Sequence, residues 1–151
     1  MAYTMAEGRG QLLDDLASGA GQIGLALATL GEAYESLDDH SADRLEEELF
    51  RPVQAAYGRA KRTLSEFAAR YGLPASIVAE PSQGRPTAAK DSIAHAADAL
   101  RAADETISAL QDSMLPVEVG DLELRAGLSQ VRELISPLPG RAREFLRTLG
   151  R

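Results

Sequence analysis

Apolar residues recur along most of the chain in alternating steps of three and four, the spacing that places side chains on one face of an α-helix. The first series predicts a helix from about residue 7 and contains Leu13, Leu16, Ala20, Ile23, Leu27, Leu30, Tyr34 and Leu37. A second series ends at Gly72 and contains Leu45, Leu49, Val53, Ala56, Ala60, Leu64, Phe67 and Tyr71. Because Pro52 lies inside this second series, its helix either bends there or is two pieces, and we expect a kink.

The second half of the chain repeats this organisation. Residues 72–86 hold three prolines and two glycines, which predicts a linker. A third helical series follows and contains Ile93, Ala96, Leu100, Ala103, Ile107, Leu110 and Met114, before Pro116 interrupts it. A fourth contains Leu124, Leu128, Val131, Ile135 and Leu138, and residues 137–140 separate it from a short amphipathic tail. No segment alternates with a period of two, so we expect essentially no sheet.

These elements predict an all-α, up-and-down four-helix bundle of two helical hairpins with a short C-terminal helix. The hairpins span 7–72 and 87–151, and the linker 72–86 joins them. A chain of 151 residues is too short for two separate cores, so we expect residues 1–151 to form a single helical-bundle domain.

Small residues flank the apolar series of the first helix on both sides. Each interior glycine costs a helix about 0.5 to 1 kcal/mol relative to alanine, so close packing must offset the loss. The packing is either that of a central helix between neighbours of the same bundle or that of a homodimer. Leu25 lies opposite the apolar series and favours some self-association. The predicted interface residues are Gly10, Ala17, Gly24, Leu25 and Gly31.

Composition narrows the class of protein. The chain has no cysteine, which excludes disulfides, thiol nucleophiles and cysteine-ligated metals. A net charge of -7 argues against broad binding to nucleic acid or to an anionic membrane. The first residues lack the basic and apolar pattern of a signal peptide, and the longest uncharged stretch, residues 16–31, is too short and too polar to span a bilayer. We therefore expect a cytoplasmic protein without membrane contact.

The charges are unevenly distributed. Between residues 32 and 48 there are eight acidic residues and one basic residue, Arg44, whereas the chain after Gly140 holds four arginines against Glu144. This pattern predicts opposite charges at opposite ends of hairpins, which favours head-to-tail assembly or recognition of a charged partner.

Two pairs of carboxylates have the spacing of a helical metal site. Glu32 and Glu35 lie three positions apart, and so do Glu118 and Asp121. This resembles the Glu-x-x-Glu and Glu-x-x-Asp pairs of all-helical nucleotide pyrophosphohydrolases, and the resemblance implies a Mg²⁺-dependent hydrolase. Solvated helix ends in an acid-rich chain explain the same spacing. With only His40 and His95, a site built from several histidines within one chain is excluded.

Every catalytic arrangement tested fails on residue type or spacing, which favours a protein without enzymatic activity. The function we expect is that of a helical interaction module that mediates self-association or binds a protein partner, and the Mg²⁺-dependent hydrolase is the alternative. We expect no cofactor. We also expect no small-molecule ligand, because alanine-rich helical faces pack too tightly to leave a cavity for one.

Overall fold

The computed structural model describes residues 5–74 and 88–149, and within these ranges the chain is helical with short turns. The helices are α1 (Met5–Glu35), α2 (Asp39–Leu45), α3 (Arg51–Arg70), α4 (Ala89–Asp112), α5 (Leu115–Val119), α6 (Leu122–Ile135) and α7 (Leu138–Thr148). A π-helical turn, Glu46–Phe50, joins α2 to α3 without a break. The predicted all-α bundle with a short C-terminal helix is confirmed.

The first hairpin is antiparallel, as its sequence predicts. Gly24 of α1 faces Tyr57 of α3, and Gly31, two turns later in α1, faces Phe50. We call the four long helical segments of the bundle its arms. Asp38 ends the connection between the first two arms, because its carboxylate accepts a hydrogen bond from the Ser41 amide at 2.8 Å and so caps α2.

The four long helical segments do not simply alternate in direction along the chain. α4 is antiparallel to α1, since Gly19 packs against Ile107 while Gly8, at the start of α1, lies beside Val119 just beyond α4. Both α3 and α4 therefore run opposite to α1, and so parallel to each other. The directions are up, down, down, up, the order of bundles with one long crossover, in place of the up-and-down order expected from the sequence.

The fourth arm, α6 followed by α7, closes the bundle. Arg59 of α3 donates a hydrogen bond to Gln130 of α6, and Ser136, at the end of α6, donates one to Asp104 of α4. Going round the bundle, the order is α1, α3, α6 with α7, and α4, so that each arm packs against two antiparallel neighbours. α3 and α4 are diagonal, and they begin at the same end of the bundle. The predicted linker 72–86 lies outside the described residues from position 75 onward.

One hydrophobic cluster fills the bundle and draws on all four arms. Most of the predicted apolar positions are buried in it. Tyr34 and Met114 are exceptions, with 41% and 62% of their surface exposed. Tyr34 lies in the last turn of α1, and Met114 follows the end of α4 at Asp112, so neither has a neighbouring arm to cover it.

The sequence predicts a kink at Pro52, which lies in the first turn of α3. The structure shows the π-helical turn, Glu46–Phe50, directly before this helix. Proline has no amide hydrogen and crowds the carbonyl four residues earlier, here that of Glu48. Arg141 of α7 donates a hydrogen bond to this carbonyl oxygen, with Nη1 at 3.1 Å. The irregular turn is thus held by the fourth arm.

Candidate functional site

The four carboxylates of the hydrolase hypothesis lie at the two ends of the bundle. Glu32 and Glu35 belong to the last turns of α1, whereas Glu118 and Asp121 lie near Gly8 at its start, because Gly8 contacts Leu115 and Val119 of α5. Twenty-four helical residues, about 36 Å, separate Gly8 from Glu32. Within residues 5–74 and 88–149, no three His, Asp or Glu side chains are grouped to hold a metal ion. The geometry gives the Mg²⁺ hypothesis no support.

Two of the predicted interface glycines pack inside the chain. A Cβ atom on Gly24 would lie 3.0 Å from two carbons of the Tyr57 ring, and one on Gly31 would lie 4.0 Å from Phe50 Cε2. Gly24 therefore allows α3 to approach α1 closely, which is the intramolecular role that the sequence left open beside the homodimer.

The other predicted interface residues differ in exposure. Ala17 is half-buried and packs against the core, whereas 46% of Leu25 is exposed. A Cβ on Gly10 would meet no atom within 4 Å. Leu25 and Gly10 thus remain on the outer face of α1, without a partner from another arm.

A second exposed apolar group lies where α1 begins. Among the described residues, six large hydrophobic side chains are exposed, and four of them are at this end of the bundle. We call these four the apolar end: Met5 (49% exposed), Met114 (62%), Val117 (52%) and Leu122 (73%). The apolar series of the sequence includes Met114 as a core position and contains none of the other three.

The short helix α5 explains why these side chains are outside. It begins with Pro116 in its first turn and ends at Gly120, whose φ of +73° is a conformation that side chains other than glycine rarely adopt. Leu115 and Val119 point towards Gly8 of α1. A helix of five residues buries one side only, which leaves Val117 facing solvent.

A hydrogen-bonded cluster fixes the corner between α5 and α6. The carboxylate of Asp121, 5% exposed, accepts two hydrogen bonds from Arg70 at the end of α3, from Nη2 at 2.7 Å and Nε at 2.9 Å. It also accepts the amide of Leu124 at 2.8 Å and thereby caps α6. Arg70 donates a further hydrogen bond to Glu123 at 2.8 Å. Paired donors of this geometry are among the stronger interactions between side chains.

The electrostatics of the cluster favour the charged carboxylate. Burial opposes ionisation of Asp121, but the hydrogen bonds from Arg70, the Leu124 amide and Tyr71 outweigh it and hold the pKa of Asp121 below its usual value. The hydrogen bond to Asp121 in turn raises the pKa of Tyr71. Asp121 thus remains ionised at neutral pH, with its charge matched by Arg70.

Tyr71 connects the cluster to α1. The guanidinium carbon of Arg9 lies 4.1 Å from the centroid of the Tyr71 ring, a cation–π contact, and Tyr71 packs edge to face on Phe67 at 5.0 Å. The ends of α1, α3 and α6 are therefore tied together at the base of the apolar end. Sequence periodicity could not predict this, because the residues come from three separate segments.

The opposite end of the bundle carries the acidic span 32–48, and the arginines of α7 lie beside it. Arg141 bonds to the Glu48 carbonyl, and Arg44 pairs with Glu48 at 3.4 Å and bonds to Thr148. The described part of the basic tail therefore lies next to the acidic span, whereas the sequence predicted opposite charges at opposite ends.

No helix within the described ranges is long and apolar enough to cross a membrane. The chain matches no known family model, and neither the curated proteins nor the solved structures include a significant match to it.

Proposed function

We propose that the protein is a non-enzymatic interaction module that binds another polypeptide through its apolar end. The observation that carries the proposal is that Met5, Met114, Val117 and Leu122, each about half exposed or more, lie at the same end of the bundle. Single exposed apolar side chains are ordinary on protein surfaces, whereas several of them in one region are typical of a binding surface.

The supporting structure of this surface favours binding. Leu122 directly follows Asp121, whose carboxylate is fixed by Arg70 and by the Leu124 amide. A surface that is ordered before binding loses less conformational entropy on complex formation. The two methionines add adaptable, polarisable side chains that fit partners of different shape.

Site-specific photocrosslinking tests the proposal in the cells that make the protein. A photoreactive amino acid replaces Val117 in one variant and Arg62, an exposed residue of α3, in a matched control. We expect a discrete adduct from position 117, absent from position 62 and lost when Leu122→Asp is added. The mass of the adduct distinguishes a second copy of the chain from a different protein.

Circular dichroism must show that Leu122→Asp keeps its helix content. With that control satisfied, an absence of adducts from position 117, or equal adducts from positions 117 and 62, contradicts the proposed function.

A further inference from the structure

The charges around the apolar end are mostly negative. Its carboxylates come from the first turn of α1, the last residue of α4, α5 and the start of α6, and they are Glu7, Asp112, Glu118, Asp121 and Glu123. The basic side chains in the same segments and at the end of α3 are three: Arg9, Arg70 and Arg125. The described residues of this end therefore carry a net negative charge, as does the whole chain.

Pairing within the protein takes up one of these arginines, Arg70, together with two of the carboxylates, Asp121 and Glu123. Arg70 makes two hydrogen bonds to Asp121 and one to Glu123, and Arg9 lies over the Tyr71 ring. Glu118, in contrast, is exposed on the same short helix as Val117. A binding partner thus meets apolar side chains with an acidic group directly beside them.

A second copy of the chain is a poor occupant of this surface. Contact between two identical apolar ends would bring the Glu118 side chains and their acidic neighbours together, and juxtaposed like charges oppose association. A segment with Lys or Arg beside its own apolar residues matches both features, since charge complementarity steers and orients association.

We infer that the apolar end binds a basic amphipathic segment of a partner protein. This inference rests on the proposed function and specifies the chemistry of the partner. Contacts between the apolar side chains supply most of the affinity, and Glu118 with its acidic neighbours selects for basic residues.

The test uses two synthetic helical peptides of about 16 residues with the same apolar positions and one tryptophan each. Their polar positions are lysine in one peptide and glutamate in the other. The protein has no tryptophan, so peptide fluorescence reports binding without background. We expect the lysine peptide to bind at least about tenfold more tightly than the glutamate peptide, and its affinity to fall with added salt.

Two charge-reversal variants locate the site. Glu118→Lys should weaken the lysine peptide roughly tenfold, whereas Glu47→Lys, the same change at the opposite and more acidic end, should leave its affinity within about twofold. Val117→Asp should abolish binding of the lysine peptide. If Glu47→Lys lowered the affinity for the lysine peptide more than Glu118→Lys does, the inference would be overturned. Binding would then depend on the overall negative charge of the protein and not on the apolar end.

Two further outcomes separate the inference from the proposed function. If both peptides bind equally and Val117→Asp abolishes both, the apolar end binds polypeptides but does not select basic ones, so only the inference fails. If neither peptide binds, the inference is overturned as well, and crosslinking at position 117 decides the proposed function independently.

Discussion

Gly127 of α6 lies so close to Thr63 of α3 that a Cβ atom at position 127 would be 2.6 Å from the Thr63 Cγ2. Real Cβ atoms do not approach a neighbour this closely, so only glycine fits here without a shift of the two helices. Thr63 is fixed in turn, since its hydroxyl donates to the Arg59 carbonyl at 2.8 Å and accepts from Arg59 Nη1 at 3.0 Å. This contact sets how closely α3 and α6 approach each other.

Gly127→Ala should therefore destabilise the fold by about 1 to 3 kcal/mol, the usual range for overpacking. Gly58→Ala is the matched control, because Gly58 is a helical glycine of α3 with nothing within 4 Å of the added Cβ. That change should stabilise the protein by about 0.5 to 1 kcal/mol, as alanine is the better helix former. Urea unfolding measures the free-energy change of both variants. If both substitutions stabilise the protein or both destabilise it, the result contradicts the close contact of Gly127 with Thr63.

Gly24→Leu should lower the free energy of unfolding by about 1 to 3 kcal/mol, because the new side chain displaces Tyr57 within the same chain. Leu25→Ala, at the exposed neighbouring position, should change it by less than about 0.5 kcal/mol. In a Tyr57→Ala background the cost of Gly24→Leu should shrink, since the obstructing ring is gone. Sedimentation equilibrium of Gly24→Leu accompanies these measurements. A change of oligomeric state without loss of stability would return Gly24 to an interface between copies.

Asp121→Asn should destabilise the protein by about 2 to 4 kcal/mol at neutral pH, because it removes the buried anionic partner of Arg70 and leaves only the exposed Glu123. The folded protein holds the pKa of Asp121 below the unfolded value of about 3.9, so this contribution is fully present above that pH. It is lost as the pH falls through the lower, folded pKa. The difference in unfolding free energy between wild type and variant should thus stay constant from pH 5 to pH 7 and shrink below about pH 4. A difference that does not change with acidification would argue against an ionised Asp121.

Arg141→Ala should cost about 1 kcal/mol of stability, because it removes the donor to the Glu48 carbonyl. Arg143→Ala, an exposed arginine two positions on, is the control and should have little effect. Pro52→Ala restores an amide that can reach the Glu48 carbonyl, so Arg141→Ala should cost less in that background. A thermodynamic cycle of the two substitutions checks this, and additive effects would show that Pro52 and Arg141 act independently.

The helical arms and many of their ends follow from local features of the sequence. Apolar steps of three and four predict each arm. Gly72 lies just after the end of α3, and Pro116 lies in α5, after the end of α4. These positions are predictable because φ/ψ restrictions and the missing proline amide act locally. The sequence predicted a kink at Pro52, and the structure shows a π-helical turn, Glu46–Phe50, just before it.

The arrangement of the arms depends on tertiary packing and cannot be derived from the local pattern. Periodicity shows which face of a helix is buried but not which neighbour covers it, and reversing an arm changes no local pattern. The contact of Gly24 with Tyr57 and the pairing of Arg70 with Asp121 each join residues that are distant in sequence. The parallel directions of α3 and α4 likewise depend on contacts between distant segments. The apolar end has the same origin, because Met5, Val117 and Leu122 come from three separate helices that tertiary packing brings to one end of the bundle.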